Sequence, residues 1–221
     1  MKKILKIALD GPSGSGKSTI AKALSKKLDI LYLDTGAMYR AVALKALKLN
    51  IDTFDEKGVE GFIDNIDLQI EYQGGKQLTF LDGENVSERI REPQVSMAAS
   101  NISSLKCVRI KMVEMQREIA SKTSCVLDGR DIGSFVLPNA DYKFFITASV
   151  DIRTKRRYDE LSLKGFSVDY DALKKEIEQR DYNDSHREFS PLVKADDAIV
   201  IDTSNMTVEQ VLDAVMSHIK A

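Results

Sequence analysis

The sequence predicts an α/β fold in which helices cover both faces of a mostly parallel five-stranded sheet. Three observations lead there: five short apolar runs, helical periodicity between them, and a glycine-rich turn joining the first run to the first helix. The runs are KILKIALD, ILYLD, SCVLD, YKFFIT and AIVID. They are near-continuous in hydrophobicity, as strands buried on both faces are. Between them, Ile20, Leu24 and Leu28 recur at i, i+4 and lay one apolar stripe against a sheet. Strands that alternate with helices imply parallel pairing, and such sheets bind ligands beyond the carboxyl ends of their strands. The runs end in Asp or Thr, so polar groups are expected at that edge.

One stretch breaks the rhythm. IDLQIEYQGGKQLTFLDGENV alternates apolar and polar residues around Gly74-Gly75, the signature of a two-residue hairpin. With the helix-like EPQVSMAASNIS it forms an expected antiparallel insert at 62–104, too small to hold a core without leaning on the main sheet. The chain is otherwise read as one domain over 1–221, with no internal repeat or low-complexity tract.

Bulk properties exclude several classes. With net charge −2 and a pI near 5.8, there is no broad attraction to nucleic acid or anionic membrane. Cys107 and Cys125 do not form a CxxC pair, and His186 and His218 lack metal-ligand spacing. No apolar run approaches the roughly 20 residues needed to span a bilayer. The expectation is a reduced, cytoplasmic monomer without signal peptide, with no nucleic-acid or membrane partner.

The strongest local signal is GPSGSGKST, from Gly11 through Pro12, Ser13, Gly14, Ser15, Gly16, Lys17 and Ser18 to Thr19. It meets the P-loop pattern directly after a strand and before a helix, the context that motif requires. Backbone N–H groups of such a loop face phosphates, and the following helix turns its positive end to the same charge. Lys17 is expected to reach the β- and γ-phosphates of ATP. Ser18 is expected to place its hydroxyl on Mg²⁺, with Asp128, closing the strand SCVLD, holding the ion through water.

A triphosphate alone does not need the remaining arginines. They are Arg40, Arg109, Arg130, Arg153, Arg156, Arg157, Arg180 and Arg187. Arg153, Arg156 and Arg157 share a helical face at i, i+3, i+4, and Arg180, Asp184 and Arg187 form a second at i, i+4, i+7. Like charges so placed repel mildly unless an anion sits among them. For an arbitrary basic cluster a solvated face is the default, and here the P-loop tips the balance toward an anion site.

Taken together, IALDGPSGSGKST, LDTGAMYR, LDGRDIG, KGF and RDYNDSHREFSPLVKADDA resemble the motifs of the bacterial cytidylate kinases, in the nucleoside monophosphate kinase family. The similarity spans nearly the whole chain, including the insert. The resemblance implies phosphorylation of CMP and dCMP by ATP with Mg²⁺. It also implies that Arg40, Arg130 and Arg187 grip the acceptor phosphate, with Tyr39 in the same motif as Arg40. Arg180 and Asp184 would meet the sugar, and Ser100, Arg109 and Asp131 the base, with the Thr35 hydroxyl in that pocket. The run 151–168 would be a lid whose Arg153, Arg156 and Arg157 close over ATP. Lys17, Arg130, Arg153, Arg157 and Arg187 are the implied catalytic groups. Thr35 stands where several relatives carry serine, which keeps the hydroxyl.

The base assignment has independent physical support. Cytosine offers an amino donor at N4 and acceptors at N3 and O2, so a carboxylate and an arginine complement it. Uracil reverses two of these groups and would leave buried partners unpaired, at about 1–3 kcal/mol each. Other readings stand beside this one: a P-loop kinase for UMP, dTMP or shikimate, or a module that senses ATP without transferring phosphate. His186 is expected to be a partly exposed helix residue and not a base, since a phosphate acceptor with a second pKa near 6 needs little help.

Overall fold

A computed structural model describes residues 4–220; Lys3, which opens the first apolar run, lies outside the described residues. The chain forms two compact units, Met1–Tyr32 with Thr123–Ala221, and Leu33–Lys122. All five apolar runs form strands of one sheet: β1 (Lys6–Asp10), β2 (Leu31–Asp34), β6 (Cys125–Gly129), β7 (Tyr142–Thr147) and β8 (Ile199–Asp202), in the order β2-β6-β1-β7-β8. The pairs β1–β6, β1–β7 and β7–β8 are parallel.

In the first unit the core forms where the helical stripes meet these strands. Ile20, Ala21 and Leu24 of α1 (Lys17–Leu28) pack with Ile7, Leu9, Val126, Phe144 and Ile146. Val211 and Val215 of α8 (Val208–His218) join the same cluster. Leu28 is partly buried at its margin. A smaller apolar cluster ties α6 (Val150–Leu163) to α7 (Tyr170–His186) through Leu161, Leu173 and Ile177. Tyr158 and Tyr170 meet edge-to-face beside it. The expected lid, 151–168, is α6 from residue 151 together with the loop that follows it.

The second unit contains the expected hairpin. β3 (Leu68–Gln73) and β4 (Lys76–Leu81) pair antiparallel with Gln73 opposite Lys76, and Gly74 and Gly75 turn at φ 57° and 75°. Positive φ at both central residues is what a type I′ hairpin turn demands. A short third strand, β5 (Glu84–Asn85), completes this sheet. The insert draws its core from helices: α2 (Thr35–Lys48) packs on α4 (Pro93–Ile102), β4 and α5 (Lys106–Lys122), and α3 (Glu56–Ile63) packs on α5. Val59, Ile63, Leu81, Val95, Ile102, Val108 and Met112 are among the buried residues that result. The compact unit is wider than 62–104 because those residues alone cannot enclose an apolar interior.

Among the described residues no helix is long and apolar enough to cross a membrane.

After β1 the chain must leave the sheet within one residue of its neighbour strand. Gly11 does so at φ 143°, and a Cβ there would stand 1.9 Å from the Ile146 carbonyl oxygen of β7. Only glycine fits, on both steric and conformational grounds. Gly11→Ala is therefore expected to lower stability by about 2 kcal/mol or more, read as a shift of the urea midpoint. An unchanged midpoint would show that β1 and β7 can part at this point.

Candidate active site

The phosphate loop is built on turn residues that backbone geometry dictates. Gly14 and Gly16 lie at φ 76° and 94°, and Gly16 caps α1 with no side chain of its own. The first N–H groups of α1 therefore meet no side-chain cap, which suits an anion at that end. Lys17 is buried, and its ammonium donates to the Pro12 carbonyl at 2.6 Å and the Ser15 hydroxyl at 3.3 Å. Burial, with Arg130 nearby, pushes its pKa well down, while Asp128, Asp10 and Asp184 pull it up.

Ser18 donates its hydroxyl to Asp128 Oδ2 at 2.6 Å, and the Tyr32 hydroxyl donates to Oδ1 at 3.0 Å. These hard oxygen groups, already adjacent, have the donor chemistry that Mg²⁺ requires. Tyr32 is absent from the sequence-based site, because its role depends on a partner 96 positions away.

Beyond β6 the chain carries the acceptor candidates of this unit. Arg130 donates through Nε to Asp184 Oδ2 at 2.8 Å. Burial opposes the charge of Arg130, but Asp184 and Asp128 outweigh it and hold the guanidinium above its usual pKa. Burial likewise disfavours the Asp184 carboxylate, and Arg130, Arg180 and Arg187 overcome it, so its pKa falls. Arg187 lies 4.0 Å from Asp184 and 3.7 Å from Asp131, with its Nε donating to the Ser190 carbonyl at 2.6 Å. Asp131 accepts from the Ser190 hydroxyl at 2.5 Å. Asp131, Arg130, Asp184 and Arg187 thus form one network, with Arg180 bearing on Asp184. Arg187 sits just past the end of α7 with extended backbone, so it reaches the network from the helix end and not from the i+7 face.

The arginines of α6 diverge where spacing placed them together. Arg153 is buried, donating to the Ala148 and Ser13 carbonyls and to Asp181 at 2.9, 3.2 and 2.6 Å. Arg156 donates to the hydroxyl and carbonyl of Thr203, at 3.0 and 2.7 Å, and Thr203 in turn donates to the Ser15 carbonyl at 2.9 Å. Arg157 pairs with Glu160 near the surface at 2.8 Å. Two of the three are thus wired to the phosphate loop, one directly and one through Thr203. His186 is exposed and stacked on Tyr182 at 4.0 Å.

The remaining candidates lie in the second unit. Thr35 opens α2 and is buried, and Arg40, one turn on, donates to Asp34 at 3.0 Å. Arg109 of α5 is almost wholly buried, lies over the Tyr39 ring at 5.4 Å, and donates to the Ser103 carbonyl at 3.2 Å. Ser100 is half-buried on α4, and its carbonyl accepts from the Ser103 hydroxyl at 2.9 Å. A buried cation over an aromatic face is held in a fixed orientation at low dielectric.

A phosphate loop of this geometry, on a parallel sheet of this order, with a carboxylate at the end of the adjoining strand and arginines beyond it, defines a P-loop kinase. A family model for cytidylate kinase matches residues 7–221. The chain belongs to the cytidylate kinase family. It is 52% identical over 216 residues to the cytidylate kinase of Caldicellulosiruptor bescii, covering 98% of this chain and 95% of that one. It is 50% identical over 215 residues to that of Clostridioides difficile, covering 97% and 98%. Among solved structures, an uncharacterized protein from Eubacterium ventriosum shares the fold at TM-score 0.52 and 16% identity, over 97% of each chain.

Asp10 escapes sequence reading, although it closes β1. Its carboxylate accepts from the N–H groups of Ile132 and Gly133, both at 2.7 Å, and so pins the turn that follows Asp131. Burial raises its pKa from 3.8 to about 7, against those two donors and Lys17 and with help from Asp131. A raised folded value means that the folded chain keeps a proton that the unfolded chain has released. This group's contribution is therefore fully present below pH 3.8 and is lost as pH rises through about 7. Asp10→Asn is expected to flatten that part of the stability-pH curve, and to cost about 1–3 kcal/mol by turning an amide donor toward an N–H. Urea titrations of both proteins across this range check it, and parallel curves would contradict it.

Proposed function

We propose that the chain transfers the γ-phosphoryl group of ATP to the phosphate of CMP or dCMP, in line and without a covalent enzyme intermediate. An oxygen of the acceptor phosphate attacks the γ-phosphorus, the bond to the β-γ bridging oxygen breaks, and ADP leaves with CDP or dCDP formed. The observation that carries this reading is the Arg130–Asp184–Arg187–Asp131 network, in the same unit as the phosphate loop. A nucleotide sensor has no use for a second set of cations.

In this reading Lys17 and the loop N–H groups bind the donor phosphates, and Arg153 and Arg156 carry the position of the loop into α6. Ser18 and Asp128 would hold Mg²⁺, which when bound neutralises phosphate charge. Arg130, Arg187 and Arg40 hold the acceptor phosphate, Arg180 and Asp184 the sugar, and Thr35, Ser100, Arg109 and Asp131 the base. Tyr39 supports Arg109 from below. The protein supplies positioning and charge neutralisation, which phosphoryl transfer chiefly needs. The name shared by the relatives supports the cytosine acceptor.

An acceptor-resolved steady-state assay tests this. CMP and dCMP are expected to exceed UMP at least about tenfold in kcat/KM, one mismatched buried pair being enough for that. Comparable values for UMP would overturn the base assignment. ATP hydrolysis without acceptor is expected to be feeble, because attack by water is disfavoured where water is excluded.

Arg157→Ala is expected to lower kcat by about 10² while leaving the KM for CMP nearly unchanged, as loss of a transition-state donor does. A change confined to KM would assign Arg157 to ground-state binding.

A further inference from the structure

Asp34, at the junction of β2 and α2, is held from three directions within the second unit. Its carboxylate caps α2 by accepting from the Ala37 N–H at 2.9 Å. Gln77 of β4 clamps its backbone, accepting from the Asp34 N–H at 2.8 Å and donating to its carbonyl at 3.3 Å. Oδ2 then accepts from two guanidiniums: Arg40 Nη2 at 3.0 Å, and Arg91 Nη2 at 3.4 Å from the single 3-10 turn Arg89–Arg91.

One carboxylate therefore pairs with two positive charges, and the group is left with a surplus of one. Both guanidiniums have donors to spare. Among the described residues Arg40 bonds only through Nη2, and its buried Nε has no partner there. Among the described residues the contact with Asp34 is the one hydrogen bond that Arg91 makes. Gly36 keeps the surface over the pair open, since a Cβ there would stand 3.0 Å from Arg40 Nη1 and 3.2 Å from Asp34 Oδ1. The neighbouring Arg89 differs, being paired with Glu84 at 3.2 Å.

We propose that Arg91 is a further arginine of the acceptor-phosphate site, set beside Arg40 by their shared Asp34 oxygen. This rests on the reading of Arg40 as a ligand of the acceptor phosphate. The ligand class is a phosphate monoester dianion, whose several oxygens can take the unused N–H groups of both forks. The long contact of Arg91 lets it turn toward that anion without losing its anchor. Asp34 orients both side chains, and Gln77 fixes Asp34.

Calorimetric affinities for CMP and for cytidine, without ATP, separate a phosphate ligand from a simple clamp on the turn. Arg91→Ala is expected to weaken CMP about tenfold and leave cytidine unchanged, with Arg91→Lys recovering part of the loss. Arg91 is half exposed, so the variant is expected to fold, and a melting curve checks this. Equal weakening of both ligands, or of neither, would overturn the proposal. Arg40→Ala is the companion variant: if it leaves the CMP-to-cytidine ratio intact while Arg91→Ala collapses it, the reading of Arg40 fails and that of Arg91 stands. If Arg40→Ala alone collapses the ratio, Arg91 is only a clamp.

Discussion

A buried ammonium dictates the layout of the first unit. Lys17 follows the phosphate loop into the protein, where an unpaired charge costs several kcal/mol. Its own hydrogen bonds go to the loop itself, to Pro12 and Ser15, so loop shape and lysine position are one constraint. Charge balance then comes from carboxylates at strand ends, Asp10 on β1 and Asp128 on β6, because parallel neighbours finish at the same edge. Arg130, one residue past β6, raises the positive charge again, and Asp184 from α7 offsets it. Each cation near the loop thus has a carboxylate beside it to offset its charge.

The two carboxylates nearest Lys17 have separate tasks. Asp128 spends its oxygens on hydroxyls, Ser18 and Tyr32, which remain able to serve another ligand. Asp10 spends both on backbone N–H groups of the turn after Asp131, a purely structural use that fixes where Asp131 and Arg130 begin. The same residue type therefore gathers hydroxyls on one strand and fastens backbone on the next. The difference follows from which segment crosses each strand end.

Much of this was legible in the chain itself, for a physical reason. Strand runs, the Ile20–Leu24 stripe and the Gly74-Gly75 turn are local, and backbone propensity acts over a few residues. The phosphate loop is local too. What escaped are contacts made by residues far apart in sequence: Asp10 with Gly133 across 123 positions, Tyr32 with Asp128 across 96, and Thr203 with Ser15 across 188. Periodicity placed Arg153, Arg156 and Arg157 on one helix but gave no partners for them. The helical core partners of the insert were missed on the same ground, since they follow from three-dimensional packing of α2, α3 and α5.

The three arginines of α6 show how burial sorts side chains that look equivalent in sequence. Arg153 is buried and satisfied by two carbonyls and Asp181; moving it would leave a carboxylate and a guanidinium uncompensated at low dielectric. Arg156 is bound to Thr203, whose hydroxyl reaches the loop, so it too is fixed while the loop is. Among the described residues Arg157 has only Glu160, a partly exposed i,i+3 pair worth about 0–1 kcal/mol in water. Breaking that pair costs little, and a phosphate oxygen is the stronger partner for a guanidinium. The helix thus carries two arginines tied to the phosphate loop and a third whose carboxylate partner can be given up at small cost.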